Sequence, residues 1–214
     1  MNSIHLRQTL PQVFAGRDAI VSEVWHRDLS FQKGKSYLIE AASGTGKSSL
    51  CSYIYGYRRD YQGIIAFDER NIRSYSVGQW TEVRKRSLSI LFQELRIFPE
   101  LTALENVLLK NRLTGCKKKK EISLLFEALG ISDKMNVKAE QLSFGQQQRV
   151  AFVRCLCQPF DFILLDEPIS HLDDENATIM SRLLKEEADK QQAGIIVTSI
   201  GKHLPMEYDQ VLRL

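Results

Sequence analysis

The sequence predicts an α/β protein built on a mostly parallel sheet, and three observations support this class. Short apolar runs, each ended by Gly, Asp or Ser, recur along the chain and indicate strands around Leu38, Ile65, Ile163 and Val197. Runs that stay apolar at consecutive positions suit strands buried on both faces, as in a parallel sheet. Longer helical patterns separate these runs, and a glycine-rich loop joins the first run to a helix. This alternation is typical of α/β folds.

Three segments have helical patterns. Residues 48–55 follow the glycine-rich loop directly. Residues 102–109 begin with a Thr and carry Glu105 three positions later, the spacing at which the two side chains cap the first helical turn reciprocally. Residues 121–129 are amphipathic and stop before Gly130, a residue that favours the backbone conformation found just after helices.

The stretch 96–157 interrupts the alternation, because its patterns indicate helices only. We interpret it as a helical subdomain inserted into an α/β core made of residues 1–95 and 158–214. The 214 residues then form one domain, near the upper end of single-domain sizes. The lysine run 117–120 between two helices is a solvated loop in the simpler interpretation, and a contact with anionic lipid head groups in the other.

Composition excludes several function classes. A net charge of +3 is too small to argue for a nucleic-acid partner, so any bound anion needs a local site. No stretch approaches the roughly 20 apolar residues of a membrane span, and polar side chains interrupt residues 1–11, so these do not form a signal peptide. The spacing of the cysteines suits neither a zinc site nor a disulfide framework, so we expect core thiols in a reducing compartment. They are Cys51, Cys116, Cys155 and Cys157.

The first chemical motif is the glycine-rich loop at residues 41–48, Ala-Ala-Ser-Gly-Thr-Gly-Lys-Ser. Such a turn lets backbone N–H groups converge on a phosphate, and the following helix adds the partial positive charge of its N-terminus. Lys47 would reach the β- and γ-phosphates of a nucleotide, and the Ser48 hydroxyl would hold Mg²⁺. Ala41 replaces the usual first Gly, which is tolerable where φ is negative. The predicted phosphate contacts are Ser43, Gly44, Thr45, Gly46, Lys47, Ser48 and Ser49.

The second motif is a pair of carboxylates, Asp166 and Glu167, directly after the apolar run 162–165. In α/β sheets ligands bind at the carboxyl ends of the strands, where these side chains would lie. Asp166 suits the surroundings of Mg²⁺, a cation that prefers oxygen ligands. Glu167 suits the polarisation of an attacking water. One acidic residue often marks a strand end, but two after a buried strand, in a chain with a phosphate loop, favour chemistry.

The third motif, Leu-Ser-Phe-Gly-Gln-Gln-Gln-Arg at residues 142–149, resembles the signature sequence of ABC-type ATPases. In that family the segment begins a helix that contacts the γ-phosphate of a nucleotide bound by the opposite subunit, which is anion binding at a helix start. The resemblance implies that Ser143 is the contacting hydroxyl, that Gly145 allows close backbone approach, and that Gln146 belongs to the same contact. A serine-capped helix explains this segment alone, but not its neighbours.

Those neighbours extend the resemblance. Residues 91–93, with 101–107, resemble the family's glutamine loop, which implies that Gln93 touches Mg²⁺ and the attacking water and links the two subdomains. Residues 170–173 resemble the loop by which one subunit senses the other's site, with Asp173 as the contact. Phe14, ahead of the first predicted strand, could stack on adenine; a buried core aromatic explains it equally well. The family fold is a P-loop NTPase core with an N-terminal antiparallel β region and an inserted helical subdomain.

One position departs seriously from the family. Ser199 follows the last apolar run, where family members carry a histidine that contacts the γ-phosphate. A serine is shorter and cannot carry a positive charge. His203 lies four residues later and is a second candidate for that role, although a surface histidine is the simpler interpretation.

The resemblance covers essentially the whole chain and implies an ATP-binding, ATP-hydrolysing subunit that uses Mg²⁺ and works as a homodimer or a heterodimer. It implies a membrane-spanning permease partner and a peripheral position on the cytoplasmic face of the inner membrane. The most similar branch is the short ATPase of exporter-like systems, which release lipoproteins or export macrolides. After the glutamine loop, Ile97, Phe98 and Leu101 would anchor a short cytoplasmic helix of the permease, or else belong to the subdomain core.

Two other functions compete with a transporter motor. Ser199 favours a regulatory module that binds ATP, hydrolyses it slowly and signals to a membrane partner, whereas the intact Glu167 favours the motor. A DNA-repair ATPase of related fold is disfavoured, because such proteins carry long coiled coils and no sustained heptads occur here.

Overall fold

The computed structural model describes residues 1–16 and 21–214. The strands in this part of the chain are β1 (Ser3–Pro11), β2 (Asp28–Gln32), β3 (Ser36–Glu40), β4 (Tyr61–Phe67), β5 (Arg70–Asn71), β6 (Leu88–Leu91), β7 (Phe162–Asp166), β8 (Gly194–Ser199) and β9 (Gln210–Arg213). The α-helices are α1 (Lys47–Ile54), α2 (Val77–Arg86), α3 (Ala103–Asn111), α4 (Lys119–Ala128), α5 (Phe144–Leu156) and α6 (Asp174–Gln191). Short 3₁₀ turns occupy Gln12–Phe14, Ile72–Ser74, Ser132–Lys134 and Ala139–Gln141.

A parallel sheet forms the centre of the described structure, with strand order β6-β7-β8-β3-β9. The predicted runs at Leu38, Ile163 and Val197 are strands β3, β7 and β8, so the predicted parallel sheet is confirmed. Leu38 pairs with Val197, and Ile163 pairs with Ile195. Every residue of β7 and β8 is buried, because other elements cover both faces.

A second, antiparallel sheet has the order β2-β1-β4-β5 in the described residues. The run at Ile65 belongs here, opposite Leu6 of β1, so its assignment to the parallel sheet was wrong. Consecutive apolar residues show that a strand is buried, but they do not show with which strand it pairs. Gly63 lies against a bulge in β1, where an added Cβ would stand 2.3 Å from the Gln8 carbonyl oxygen. Phe14 follows β1 and does not precede the first strand.

Residues 96–157 contain helices α3, α4 and α5 and no strand, only an isolated bridge between Thr102 and Lys138. The predicted capping of α3 is present, since Thr102 and Glu105 bond reciprocally. Lys117 is buried in an ion pair with Glu187 of α6, at 2.6 Å, so the lysine run is only partly the solvated loop predicted. Its other members begin α4 and are exposed.

The four cysteines are free; Cys51, Cys155 and Cys157 are buried and Cys116 is partly buried. Burial raises the pKa of the Cys155 thiol to about 11 and that of Cys157 to about 12, so both are neutral core thiols as expected. Among the described residues, no helix has both the length and the apolar character that crossing a membrane requires.

Candidate functional site

The glycine-rich loop connects β3 to the first residue of α1, Lys47. Gly46 has φ +101°, a left-handed conformation that favours glycine. An added Cβ there would lie 3.2 Å from the rings of Phe14 and Trp25. The Trp25 indole N–H donates a hydrogen bond of 3.0 Å to the Thr45 carbonyl oxygen. Two aromatic side chains thus pack against the loop at Gly46, next to a helix start whose backbone N–H groups suit a phosphate.

A cleft of about 400 Å³ opens in front of this loop. It is lined by Val13, Phe14, Ser43, Gly44, Gly46, Lys47, Ser48, Ser49, Gln93, Glu167 and Ile200. The structure therefore brings the loop, the glutamine and the second carboxylate of the sequence analysis to one place. Val13 and Ile200 were not predicted as site residues. Both are apolar and exposed, and no motif in the sequence marks an isolated apolar residue of this kind as part of a site.

Lys47 and Glu167 form an ion pair inside the cleft. The Lys47 Nζ lies 3.6 Å from Glu167 Oε1 and donates to the Ala42 carbonyl oxygen at 3.0 Å. Both side chains are largely shielded, with exposed fractions of 4% and 12%. Glu167 has φ +50°, which is uncommon for a residue with a side chain. In this conformation the carboxylate compensates the charge of Lys47.

Ser48 and Gln93 line the same cleft, whereas Asp166, which directly precedes Glu167, does not. The Ser48 hydroxyl lies 3.4 Å from the Gln93 side-chain oxygen. Asp166 ends β7, is 4% exposed, and accepts a 2.6 Å hydrogen bond from Thr198. A hydroxyl, an amide oxygen and a carboxylate are the ligand types that Mg²⁺ prefers, and Mg²⁺ usually adds phosphates and waters to a few protein ligands. These residues therefore fit Mg²⁺ bound together with a nucleotide, and Thr198 is a contact that the sequence analysis missed.

The segment that resembles the family's signature sequence, residues 142–149, does not line the cleft. Ser143 caps α5 and exchanges hydrogen bonds of 3.3 Å and 3.0 Å with Gln146. Gly145 is close to the loop 170–173, since an added Cβ would lie 3.3 Å from the His171 carbonyl oxygen. The exposed Phe144 ring stands 4.5 Å from the His171 ring. The start of α5 thus exposes Ser143 and Phe144, while Gly145 and Gln146 are half-buried, and it packs against that loop.

Asp173 is the N-cap of α6. Its carboxylate accepts hydrogen bonds from the Asn176 backbone N–H at 2.8 Å and from the Asn176 side chain at 2.9 Å. Both hydrogen bonds from Asn176 lower the pKa of the Asp173 carboxyl, and the bond from the backbone N–H has the larger effect. Helix capping therefore accounts for an acidic residue at this position, whatever further contact it makes.

Ser199 is 1% exposed, and its hydroxyl donates to the Lys202 carbonyl oxygen. Neither Ser199 nor His203 lines the cleft; the His203 ring stands 5.8 Å from the Tyr208 ring. Ile200 occupies the cleft wall instead. At the position of the family's histidine the Ser199 hydroxyl is therefore turned away from the cleft, and the next residue, Ile200, lines the wall.

Phe14 is 7% exposed and forms part of the cleft wall beside Gly46. Of the three apolar residues expected after the glutamine loop, only Phe98 lines a second cavity, and it is 48% exposed. Ile97 is partly buried against the core, and Leu101 is half-buried.

A family model described as "ABC transporter" matches residues 26–170. An uncharacterized ABC transporter ATP-binding protein of Bacillus subtilis, YclH, is 34% identical over 191 residues, which are 87% of this chain and 83% of the relative. The lipoprotein-releasing system ATP-binding protein LolD of Saccharophagus degradans is 33% identical over 190 residues, 87% of this chain and 83% of that protein. A dimeric bacterial ABC transporter cassette, MJ0796, has a similar structure, with a TM-score of 0.76 at 28% identity over 91% of this chain and 87% of that one.

Proposed function

The chain belongs to the ABC transporter family, and from that premise we propose that its cleft binds Mg-ATP and that ATP-driven dimerisation moves a membrane-spanning subunit. The protein is an ATP-binding subunit and an ATP hydrolase. The observation that carries the proposal is the convergence of Lys47, Ser48, Gln93 and Glu167, from three distant segments, on one cleft at the start of α1.

In this proposal each residue has one role. Residues 43–49 hold the phosphates through backbone N–H groups, and Lys47 exchanges Glu167 for the β- and γ-phosphates. Ser48, Gln93 and Asp166 hold Mg²⁺, which would neutralise charge on the phosphate oxygens. Glu167, released from Lys47, polarises the attacking water. Phe14 and Val13 present an apolar wall that suits the adenine ring.

A second subunit completes the site. Ser143, Gly145 and Gln146 lie away from the cleft of their own chain, at an exposed helix start that suits the γ-phosphate of a facing subunit. Asp173 follows in the adjoining loop. The partner is an identical chain or a homologous ATPase, and the dimeric form of the similar cassette supports either arrangement.

The membrane partner would dock in the second cavity, a groove of about 490 Å³. We call it the aromatic groove; its apolar wall consists of Tyr55, Tyr57, Ile90, Phe92, Phe98, Leu109 and Leu113. Gln93 lies directly after Phe92, so the groove adjoins the glutamine loop between the proposed core, 1–95 and 158–214, and the proposed helical subdomain, 96–157. The protein would then act at the cytoplasmic face of the membrane, in an exporter-like system of the LolD type and without nucleic acid.

A second function, a slow regulatory module, is favoured by the loop after β8. Ser199 is turned away from the cleft, and Ile200 offers no donor to a γ-phosphate. Such a chain would bind ATP and dimerise normally but complete few turnovers, because one preorganised contact to the reacting phosphate is absent.

The test is Glu167→Gln, which removes the water-polarising carboxylate but keeps the side-chain volume. With Mg-ATP we expect a stable dimer by size-exclusion chromatography with light scattering, and phosphate release at least about a hundredfold slower than in the unsubstituted protein. Glu207→Gln, at an exposed position, is the matched control and should behave as unsubstituted protein. A monomer with ATP bound would contradict a clamp of two identical chains, and a heterodimer with a homologous ATPase would then be the remaining arrangement.

A further inference from the structure

The aromatic groove contains an excess of positive charge. Lys110 and Arg154 line it, and Arg84 lies against its wall, stacked on the rings of Tyr57 and Tyr55 at 5.1 Å and 5.4 Å. All three cations are half-buried. Shielding such a cation from water costs free energy unless a hydrogen-bond acceptor, preferably an anion, interacts with its charge.

The acceptors of these cations are neutral carbonyl oxygens. Lys110 Nζ donates to the Arg84 carbonyl at 3.2 Å, and Arg154 donates to the carbonyls of Arg96 and Leu95 at 2.7 Å and 2.5 Å. Arg84 donates to two carbonyls in the turn after α1, at 3.1 Å and 3.0 Å. Each guanidinium or ammonium group is therefore held in place without having its charge neutralised.

Within the described residues, none of these three cations forms an ion pair. Arg96, which also lines the groove, differs from them, because it lies 3.8 Å from Glu94, a carboxylate that is 81% exposed. Burial, together with the nearby charges of Arg154 and Arg84, lowers the pKa of Lys110. The cations thus repel one another in the free protein, and an added negative charge would relieve this repulsion.

The rim of the groove is apolar. Tyr57, Phe98, Leu109 and Leu113 expose between 40% and 53% of their surface around the cations. Such a surface fits the apolar face of a short helix, and the cations beneath it call for an acceptor on that same face.

We propose that the aromatic groove recognises a cytoplasmic helix of the membrane-spanning partner through a carboxylate on the helix's apolar face, which binds among Lys110, Arg154 and Arg84. This inference rests on the proposed docking of that partner. The carboxylate supplies the missing charge, and the apolar rim excludes water around it, which strengthens the ion pair. A helix with the same apolar residues but no carboxylate would bind the rim and leave the cations unpaired, so the groove discriminates between partners.

The test is zero-length cross-linking with a carbodiimide in native membranes that contain the complex. The reagent joins an amine to a carboxylate only where the two are in contact, so mass spectrometry should find the peptide of Lys110 linked to an Asp or Glu of a membrane-spanning protein. Lys110→Arg keeps the charge but removes the reactive amine, so it should retain membrane association and lose the cross-link. Lys110→Met removes the charge at similar volume and should weaken association at least about tenfold. Lys119→Met, on the exposed start of α4, is the control.

The possible outcomes are distinct. Normal association of Lys110→Met, with no cross-link through Lys110 in the unsubstituted protein, overturns the carboxylate inference while docking stands. Failure of the unsubstituted protein to associate with membranes overturns the proposed docking itself. ATP affinity, measured by calorimetry on each variant, shows that the protein has folded; should Lys110→Met fail that check, the cross-link and Lys110→Arg still decide the inference.

Discussion

The nucleotide cleft and the aromatic groove have similar volumes, about 400 and 490 Å³, but they are built in opposite ways. The cleft takes most of its wall from residues 43–49 and pairs its cation, Lys47, with Glu167. The groove collects side chains from segments spread between Tyr55 and Cys155 and leaves Lys110 and Arg154 without a carboxylate partner among the described residues. A site for a small anion can therefore be encoded in one loop, whereas a site for another protein is assembled by the fold.

We expect the largest effect from a substitution of Lys47, which should impair the nucleotide cleft and leave the aromatic groove unchanged. Lys47→Ala removes the main cationic contact to the phosphates, so we expect Mg-ATP affinity to fall about a hundredfold, or about 2.7 kcal/mol. Calorimetry measures the affinity, and Lys119→Ala is the control at an exposed position. The amount of this protein that is recovered with membranes in the absence of ATP should not change, because the substitution does not alter the aromatic groove. Unchanged ATP affinity would remove the phosphate-loop role from residues 43–49.

The reciprocal variant is Phe98→Asp, which places an acidic group on the exposed rim of the groove. We expect association with the membrane subunit to weaken at least about tenfold, because an apolar anchor becomes a hydrated charge, while ATP affinity stays constant. Val77→Asp, at an 85% exposed position outside the groove, is the control. Loss of folding, seen by circular dichroism, would instead place Phe98 among the core residues of the helical region.

A smaller effect tests the motor against the regulatory module. Ser199→His restores the family's donor type. Because Ser199 is turned away from the cleft, the longer ring must replace Ile200 at the cleft wall to reach the phosphate. We then expect the turnover number to rise roughly tenfold with little change in ATP affinity, since the contact matters most for the reacting phosphate. Ser199→Ala, which adds no donor, should leave turnover nearly unchanged. Steady-state phosphate release measures both variants. Brisk hydrolysis by the unsubstituted protein that histidine does not raise would show that another group fills the role.

The smallest effect concerns the support behind the cleft. Trp25→Phe keeps most of the buried ring but removes the indole N–H that holds the Thr45 carbonyl. A hydrogen bond of this type contributes about 0.5–1.5 kcal/mol, so ATP affinity should fall about two- to tenfold. Trp80→Phe is the matched control, because the buried Trp80 N–H has no partner among the described residues. Equal effects of the two substitutions on ATP affinity would show that the Trp25 hydrogen bond does not support the loop.

Several features were predictable because their signals are local. The strands at Leu38, Ile163 and Val197, the capped start of α3 and the residues of the phosphate loop follow from patterns within about ten neighbouring positions. Ile65 shows the limit of local signals, because its burial could be predicted from the sequence but its partner strand could not. Strand pairing depends on contacts between segments far apart in the chain, and no single segment carries that information.

Local sequence thus specifies the chemistry that a short loop can perform, because backbone conformation at Gly46 and the functional groups of Lys47 and Ser48 lie on adjacent residues. Tertiary packing decides which of these groups meet partners from elsewhere: Glu167 reaches Lys47, Thr198 reaches Asp166, and Ile200, not Ser199, enters the cleft. It also creates the aromatic groove, where Lys110 and Arg154 lie together because helices α3 and α5 pack side by side. Burial and charge proximity are properties of packed surfaces, so they exist only once the chain has folded.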